Sequence, residues 1–313
     1  MTADPFHVEH YRSETLERCP ICGCDTLLPH STVTDYTVSN LSFDLQTCSG
    51  CGFCVTNPRP SLDTIGPFYE SDSYISHTNT STGPLERTYQ LIRKLALRSK
   101  HRRIARHHIS GRVLDFGCGT GEFLAFMRRK GYSVQGVEPN SRARHQAMSN
   151  HAISPVSRLG LLPTTESFDV VTLWHVLEHM HDISSTLVDL RKRMADQGIL
   201  VVAVPDRESW DCEHYGTRWA AYDAPRHLSH FRRVDIHRLL RTSGFEMLST
   251  GPLWFDAPYV SMLSERYALT GLLWSFLKGF VLGAVSNLVA ATTSRPTSST
   301  LYFARKAEPG EAS

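Results

Sequence analysis

The sequence predicts an α/β protein, a mostly parallel β-sheet covered by helices on both faces, with a small cysteine-bound domain ahead of it. Three observations predict it. Six of the eight cysteines lie between Cys19 and Cys54. From Arg112 onward, short apolar runs alternate with helical patterns, the signature of βαβ units. Gly117, Gly119 and Gly121 stand where the first of those runs gives way to the first helix, a place where the backbone must turn tightly.

The cysteines fall in "CPICGC" and "CSGCGFC", separated by strand-like alternation in "STVTDYTVSNLSFDLQT". C-P-x-C-G paired with C-x-x-C-G reads as two zinc knuckles closing one tetrahedral site, with Cys19, Cys22, Cys48 and Cys51 as ligands. Each glycine lets the backbone turn so that N–H groups point at thiolate sulfur. A redox pair fits less well, because redox C-x-x-C usually begins a helix and does not come as a glycine-flanked duplicate. Four thiolates leave the metal no open position, so the site reads as structural, with Cys24 and Cys54 as spectators.

The chain has 313 residues, 41% hydrophobic and 20% charged, enough for a sizeable core and a second small domain. Lys plus Arg number 33 against 31 Asp plus Glu, which argues against a dedicated nucleic-acid binder. "MTADPFHVEHYRSETLERC" contains no apolar signal core, and the expected location is the cytoplasm, where clustered cysteines favour metal over disulfides.

The expected organisation is a zinc-binding head over 1–60, a linker or lid and basic amphipathic helix over 61–110, a catalytic core over 111–262 and 292–307, an apolar insert over 263–291, and a tail over 308–313. "LERTYQLIRKLALRSKHRRIARHHI" places apolar residues at helical spacing with basic residues between, a solvated face or an anion-binding one. In the core, "RVLDFGCG", "SVQGVEPN", "SFDVVTLWHVL" and "ILVVAVPD" read as strands. "EFLAFMRRKG", "SRARHQAMSNHA" and "DISSTLVDLRKRMADQG" read as helices. "VDIHRLLRTSGFEMLST" gives one more helix and strand, and "STLYFARKA" the last strand.

The glycine stretch reads "VLDFGCGTGEF", with Asp115 ahead of Gly117, Gly119 and Gly121, and Glu138 closing the second strand about 20 residues on. Asp115 and Glu122 give the loop an acidic dressing that suits a cationic ligand better than a diphosphate. At these residues the sequence resembles class I S-adenosylmethionine-dependent methyltransferases, over roughly residues 84–306. The resemblance implies a Rossmann-like seven-stranded sheet and S-adenosyl-L-methionine as cofactor. It further implies that the glycines bracket the methionine part, that Asp115 supports it, and that Glu138 binds the ribose. "SPVSRLGLLPTTES" lacks the acid that the family often offers to adenine, leaving Leu161 or Leu162 for packing.

"LWHVLEHMHD" contains H-x-x-E-H, the zinc signature of one metallopeptidase class. The methyltransferase family frequently carries L-E-H at the end of the fourth strand, which already accounts for Glu178 and His179. Ubiquinone-pathway O-methyltransferases are similar here, with E-x-x-E-H thought to bind a divalent cation. This chain has His175 in place of the first glutamate, and imidazole is a poor ligand for magnesium. His175 stands at a strand end where such sheets hold substrates and is one candidate base. "RWAAYDAPRHLSHFRR" supplies the others, His227 first and His230 second, since imidazole titrates near neutral pH. Their alternative role is to fasten the loop to the sheet.

"LTGLLWSFLKGFVLGAVSNLVAA" carries only Lys278 as a charge and is long enough to span a bilayer. A single crossing would strand the last β-strand on the wrong side, so the segment reads as a cap on the substrate cleft or as a peripheral membrane contact. The expected reaction is therefore methyl transfer to a small-molecule or lipid-like acceptor, at oxygen with a histidine base. A C-methyltransferase of sugars or natural products is the first alternative, because the zinc head also looks like that of deoxysugar enzymes. An RNA base methyltransferase using the head, and cofactor binding without catalysis, are the others. Motifs for nucleic-acid chemistry are missing after strand four.

Overall fold

A computed structural model describes residues 11–69, 84–268 and 271–308. Of the linker or lid expected within 61–110, residues 70–83 lie outside the described residues, as do 309–313 of the expected tail. The N-terminal part contains β1 (Ser13–Glu14), β2 (Leu27–Thr34), β3 (Ser42–Cys48), β4 (Cys54–Thr56) and β5 (Arg59–Pro60). A long helix, α1 (Pro84–Ile104), leads to the core. There follow β6 (Arg112–Phe116), α2 (Glu122–Arg129), β7 (Ser133–Val137), α3 (Ser141–His151), β8 (Phe168–Trp174), α4 (Ile183–Lys192) and β9 (Met194–Pro205). The chain continues through α5 (Trp210–Tyr215), β10 (Ser229–His230), α6 (Arg233–Thr242), β11 (Phe245–Pro252), α7 (Asp256–Tyr267), α8 (Leu272–Thr292) and β12 (Ser299–Lys306).

The large sheet has the order β11-β12-β9-β8-β6-β7. β7, β6, β8 and β9 run parallel, whereas β12 is antiparallel to both neighbours. The sheet was expected to hold seven strands; six form, and the seventh is reduced to a single parallel bridge between Val137 and Val156. Pro155 supplies no N–H just before that bridge, which limits how far a ladder can extend. The helix expected over "DISSTLVDLRKRMADQG" stops at Lys192. β9 starts at Met194, with a register shift between the pairs Phe168–Met194 and Val170–Ile199.

Side chains explain the elements locally. Val201, Val202, Ala203 and Val204 are buried, as a central strand covered on both faces requires. Asn140 caps α3 by accepting from Ala143 N at 3.0 Å, and Asp182 caps α4 by accepting from Ser185 N at 3.1 Å.

The head is joined to the core by a shared sheet. Its strands extend as β10-β4-β3-β2, and β10 comes from the loop after β9. The head expected over 1–60 thus shares a hydrogen-bonded sheet with the segment after β9. Arg226 fastens the same seam. Fully buried, it donates to Asp35 Oδ1 at 2.8 Å, to Asp223 Oδ1 at 2.6 Å and to the Phe68 carbonyl at 3.0 Å.

Candidate functional site

The parallel strands end on one side of the sheet, and the order reverses between β6 and β8, the place where such sheets form a ligand crevice. Gly117, Gly119 and Gly121 follow β6 with φ of 75°, 53° and 78°, the left-handed region that disfavours any side chain. A Cβ on Gly117 would stand 2.4 Å from Val176, while above Gly119 there is open space. Glu138 secures the loop: Gly119 N donates to its Oε2 and Asn140 N to its Oε1, both at 2.8 Å. Burial pushes the Glu138 carboxyl up, against the pull of those two N–H groups. Beneath the loop, Thr172 Oγ1 donates to Asp115 at 2.6 Å, and burial raises the Asp115 carboxyl to about 7. An open cradle of backbone beside two carboxylates fits a cationic nucleoside such as S-adenosylmethionine. In the stretch expected to face adenine, Leu162 is buried and Leu161 exposed.

Next to this crevice the structure gathers a polar cluster. His175 follows β8 with a φ of 55°, unusual for a side-chain-bearing residue and a mark of local constraint. Its Nε2 lies 3.0 Å from Asp256 Oδ2 and its Nδ1 3.4 Å from Glu178 Oε1. Partial burial pulls the imidazole down, but the two carboxylates outweigh that and raise it to about 10. His175 is thus an imidazolium at neutral pH and has no vacancy for a further proton.

His179 and His227 pack edge to face at 4.5 Å between ring centroids. Each places Nδ1 against a backbone carbonyl, His179 on Arg226 O at 3.0 Å and His227 on Ala221 O at 2.8 Å. That arrangement leaves each Nε2 as the basic nitrogen. Burial, reinforced by the His227 ring, lowers His179 to about 4. Glu178, 1% exposed, joins them: one ligand atom from each of Glu178, His179 and His227 lies within 4.8 Å of the others. Among the described residues neither oxygen of Glu178 accepts a hydrogen bond.

His230 sits elsewhere. It lies in the seam with the head, with Nε2 3.0 Å from Thr56 Oγ1, and burial holds it well below the ordinary histidine value. Of the three candidate bases, the structure therefore brings His175 and His227 into one cluster and leaves His230 beside Thr56. Three neighbours were missed from sequence. Tyr69 places its hydroxyl 3.1 Å from His179 Nδ1, Asp256 arrives on α7, and Lys100 of α1 lies 4.0 Å above the Trp174 ring. Lys100 had been grouped with a solvated basic face. No periodicity in α1 distinguishes it from its neighbours.

In the head, Cys19 Sγ lies 3.6 Å from Cys51 Sγ, and Cys22 Sγ 3.5 Å from Cys48 Sγ. All four sulfurs fall within 4.8 Å of one another. The two knuckles have matching hydrogen bonds: Gly23 N donates to Cys19 O and Gly52 N to Cys48 O, each glycine at φ 74°. Sulfur atoms at ~3.8 Å are what a tetrahedral zinc with bonds of ~2.3 Å demands.

Comparison with known proteins agrees with this fold. A family model described as a methyltransferase domain matches residues 87–250. A ubiquinone biosynthesis O-methyltransferase of Rhizobium johnstonii is 31% identical over 103 residues, covering 31% of this chain and 42% of that protein. One from Rhizobium rhizogenes is 31% identical over 173 residues, covering 51% of this chain and 67% of that protein. The chain spans about two fifths of the length of the first of these relatives. In structure, the magnesium protoporphyrin IX methyltransferase of Synechocystis, solved with bound SAH, superposes with a TM-score of 0.51. It shares 14% identity and covers 78% of this chain and 98% of its own, so that likeness speaks for the fold. With more than half of its length matched by the family model, and the strand order of the fold in place, the chain belongs to the S-adenosylmethionine-dependent methyltransferase-domain family.

Proposed function

We propose that the protein methylates a hydroxyl of a small or lipid-like acceptor, with His227 as the base. The observation that carries this reading is the gathering of three histidines with different surroundings in one cluster. His179 and His227 each anchor Nδ1 on a backbone carbonyl and leave Nε2 as the acceptor nitrogen, and His175 beside them is held as an imidazolium between two carboxylates. When bound, S-adenosylmethionine supplies an activated methyl group, so the residues must chiefly align an acceptor and remove its proton. His227 Nε2 takes the hydroxyl proton as the oxygen accepts the methyl. The His175 imidazolium, its two N–H groups turned to Asp256 and Glu178, places positive charge beside the oxygen as negative charge develops there. Asp115 and Glu138 hold the cofactor end of the crevice.

His227→Ala is expected to leave cofactor affinity within a few-fold and to lower kcat by roughly 10²–10⁴. On the alkaline side the rate should fall as His175 loses its proton near about 10, which a pH–rate profile reads. Supplying methyl-labelled cofactor and fractionated extract checks the acceptor. Label in a methoxy group of a small molecule or lipid supports the proposal, whereas label on carbon favours the C-methyltransferase alternative and label only in RNA overturns both.

A second reading has one observation in its favour, the buried Glu178 carboxylate, held only by the 3.4 Å ion pair with His175, with one ligand atom within 4.8 Å of one from each of His179 and His227. Two imidazoles and a carboxylate suit a borderline cation such as zinc better than magnesium. The structural zinc we assign to Cys19, Cys22, Cys48 and Cys51 allows one measurement to address both. Metal analysis of the purified protein should find one zinc per chain that resists a chelator and is lost in Cys48→Ser. A second, exchangeable equivalent removed by Glu178→Gln would transfer the histidines from base to ligand.

A further inference from the structure

Helix α8 is built inside out. Its inward face is small or polar: Ser275, Gly279, Gly283 and Ser286 are all buried. A Cβ on Gly279 would stand 2.4 Å from the Met262 backbone, and one on Gly283 2.4 Å from that of Pro258, so α7 and α8 touch almost backbone to backbone. Ser286 Oγ donates to the buried Asp211 at 2.8 Å. The large apolar residues point the other way. Leu273, Trp274, Leu277, Phe280, Val281 and Leu288 follow one another at helical spacing and are 50–74% exposed. Of an 18-residue stretch of this helix only 22% is buried, unlike a core helix of a water-soluble protein. A contiguous apolar stripe of ~23 Å with six large side chains at least half exposed is more than a monomer in water usually presents.

We infer that this face of α8 docks onto a lipid bilayer, lying in the plane of its surface. Small residues against a neighbouring helix and large apolar residues outward is the arrangement that hydrocarbon favours. The charges agree. Asp256 turns inward to His175, and the 2% exposed Glu265 pairs with Lys278 at 3.0 Å, which leaves Arg266 as the exposed charge on the hairpin without a carboxylate partner among these residues. Basic groups beside an apolar stripe complement anionic headgroups. A second copy packed through the same stripe would oppose those like charges about a twofold axis. Because α8 returns directly to β12, the helix lies on the surface and does not cross it. The inference is independent of which acceptor is methylated.

The test is flotation of the full-length protein with phosphatidylcholine vesicles, with and without phosphatidylglycerol, alongside Leu277→Glu/Phe280→Glu and Arg266→Gln. Wild type should float, more strongly with the anionic lipid, and its Trp fluorescence should shift to the blue. The double variant should lose at least about tenfold in partitioning while keeping its thermal unfolding and S-adenosylmethionine affinity. Arg266→Gln should lose only the anionic preference. Wild type remaining in the aqueous fraction with both vesicles overturns the proposal, as does equal flotation of the double variant. Concentration-dependent self-association that the double variant abolishes, without flotation, would assign the face to a second copy instead. Cofactor affinity measured on the same samples separates failure of this proposal from failure of the methyl-transfer reading.

Discussion

Replacing Arg226 by leucine is expected to cost about 3–5 kcal/mol of folding stability, because it leaves the buried Asp35 carboxylate without its cation. In a chain of this size that corresponds to a fall in melting temperature of roughly 5–8 °C. Burial alone would push Asp35 up, but the Arg226 guanidinium outweighs it and holds the carboxyl below its ordinary 3.8. The sign of the pH effect follows. The pair stabilises the native state above the unfolded pKa, and that stabilisation is lost as pH falls through the lower folded value. The gap between wild type and variant should therefore be widest at neutral pH and shrink in acid. Thermal unfolding monitored by circular dichroism at both pH values checks it; a constant gap, or one under 1 kcal/mol as typical of exposed pairs, would show that the triad is not the clamp described.

Glu138→Ala should abolish most cofactor affinity, by roughly 100-fold, since it removes the carboxylate placed for the ribose and the acceptor that fixes Gly119 N. The fold should survive, because Glu138 stands at the end of β7 outside the apolar core. Glu138→Gln, which keeps an acceptor oxygen, should fall between the two. Isothermal titration with S-adenosylmethionine reads all three. An alanine variant binding within threefold of wild type would remove Glu138 from the site.

Much of this was legible in the sequence wherever the signal was local. The knuckles announce themselves through cysteine and glycine at fixed spacing, and the glycine loop through a strand, three glycines and a carboxylate at the right distance. β12 was identifiable as the last strand, and forms over Ser299–Lys306. What escaped depends on contacts between distant parts of the chain. Asp256 meets His175 from 81 positions away, and Tyr69 reaches His179 across 110; neither residue sits in a pattern that betrays its destination. His175 and His230 looked equivalent as bases, yet one gains two carboxylates and the other a threonine hydroxyl. Burial and charge, which set proton affinity, are properties of the packed molecule. The inward face of α8 was hidden for a similar reason: the apolar count of the segment was plain, but which side faced protein was not.

The two-residue strand β10 pairs Ser229 with Val55 and His230 with Cys54, three residues beyond Cys51 of the sulfur cluster and two beyond His227. An appended module is normally portable, able to be deleted or exchanged between proteins because few bonds cross its border. Here the border runs through a sheet, and a chain lacking the first 60 residues would expose the edge of β10 and strand Arg226 without Asp35. The cysteine head is consequently a structural part of the loop that carries Arg226 and β10, and cannot be exchanged without remaking that loop.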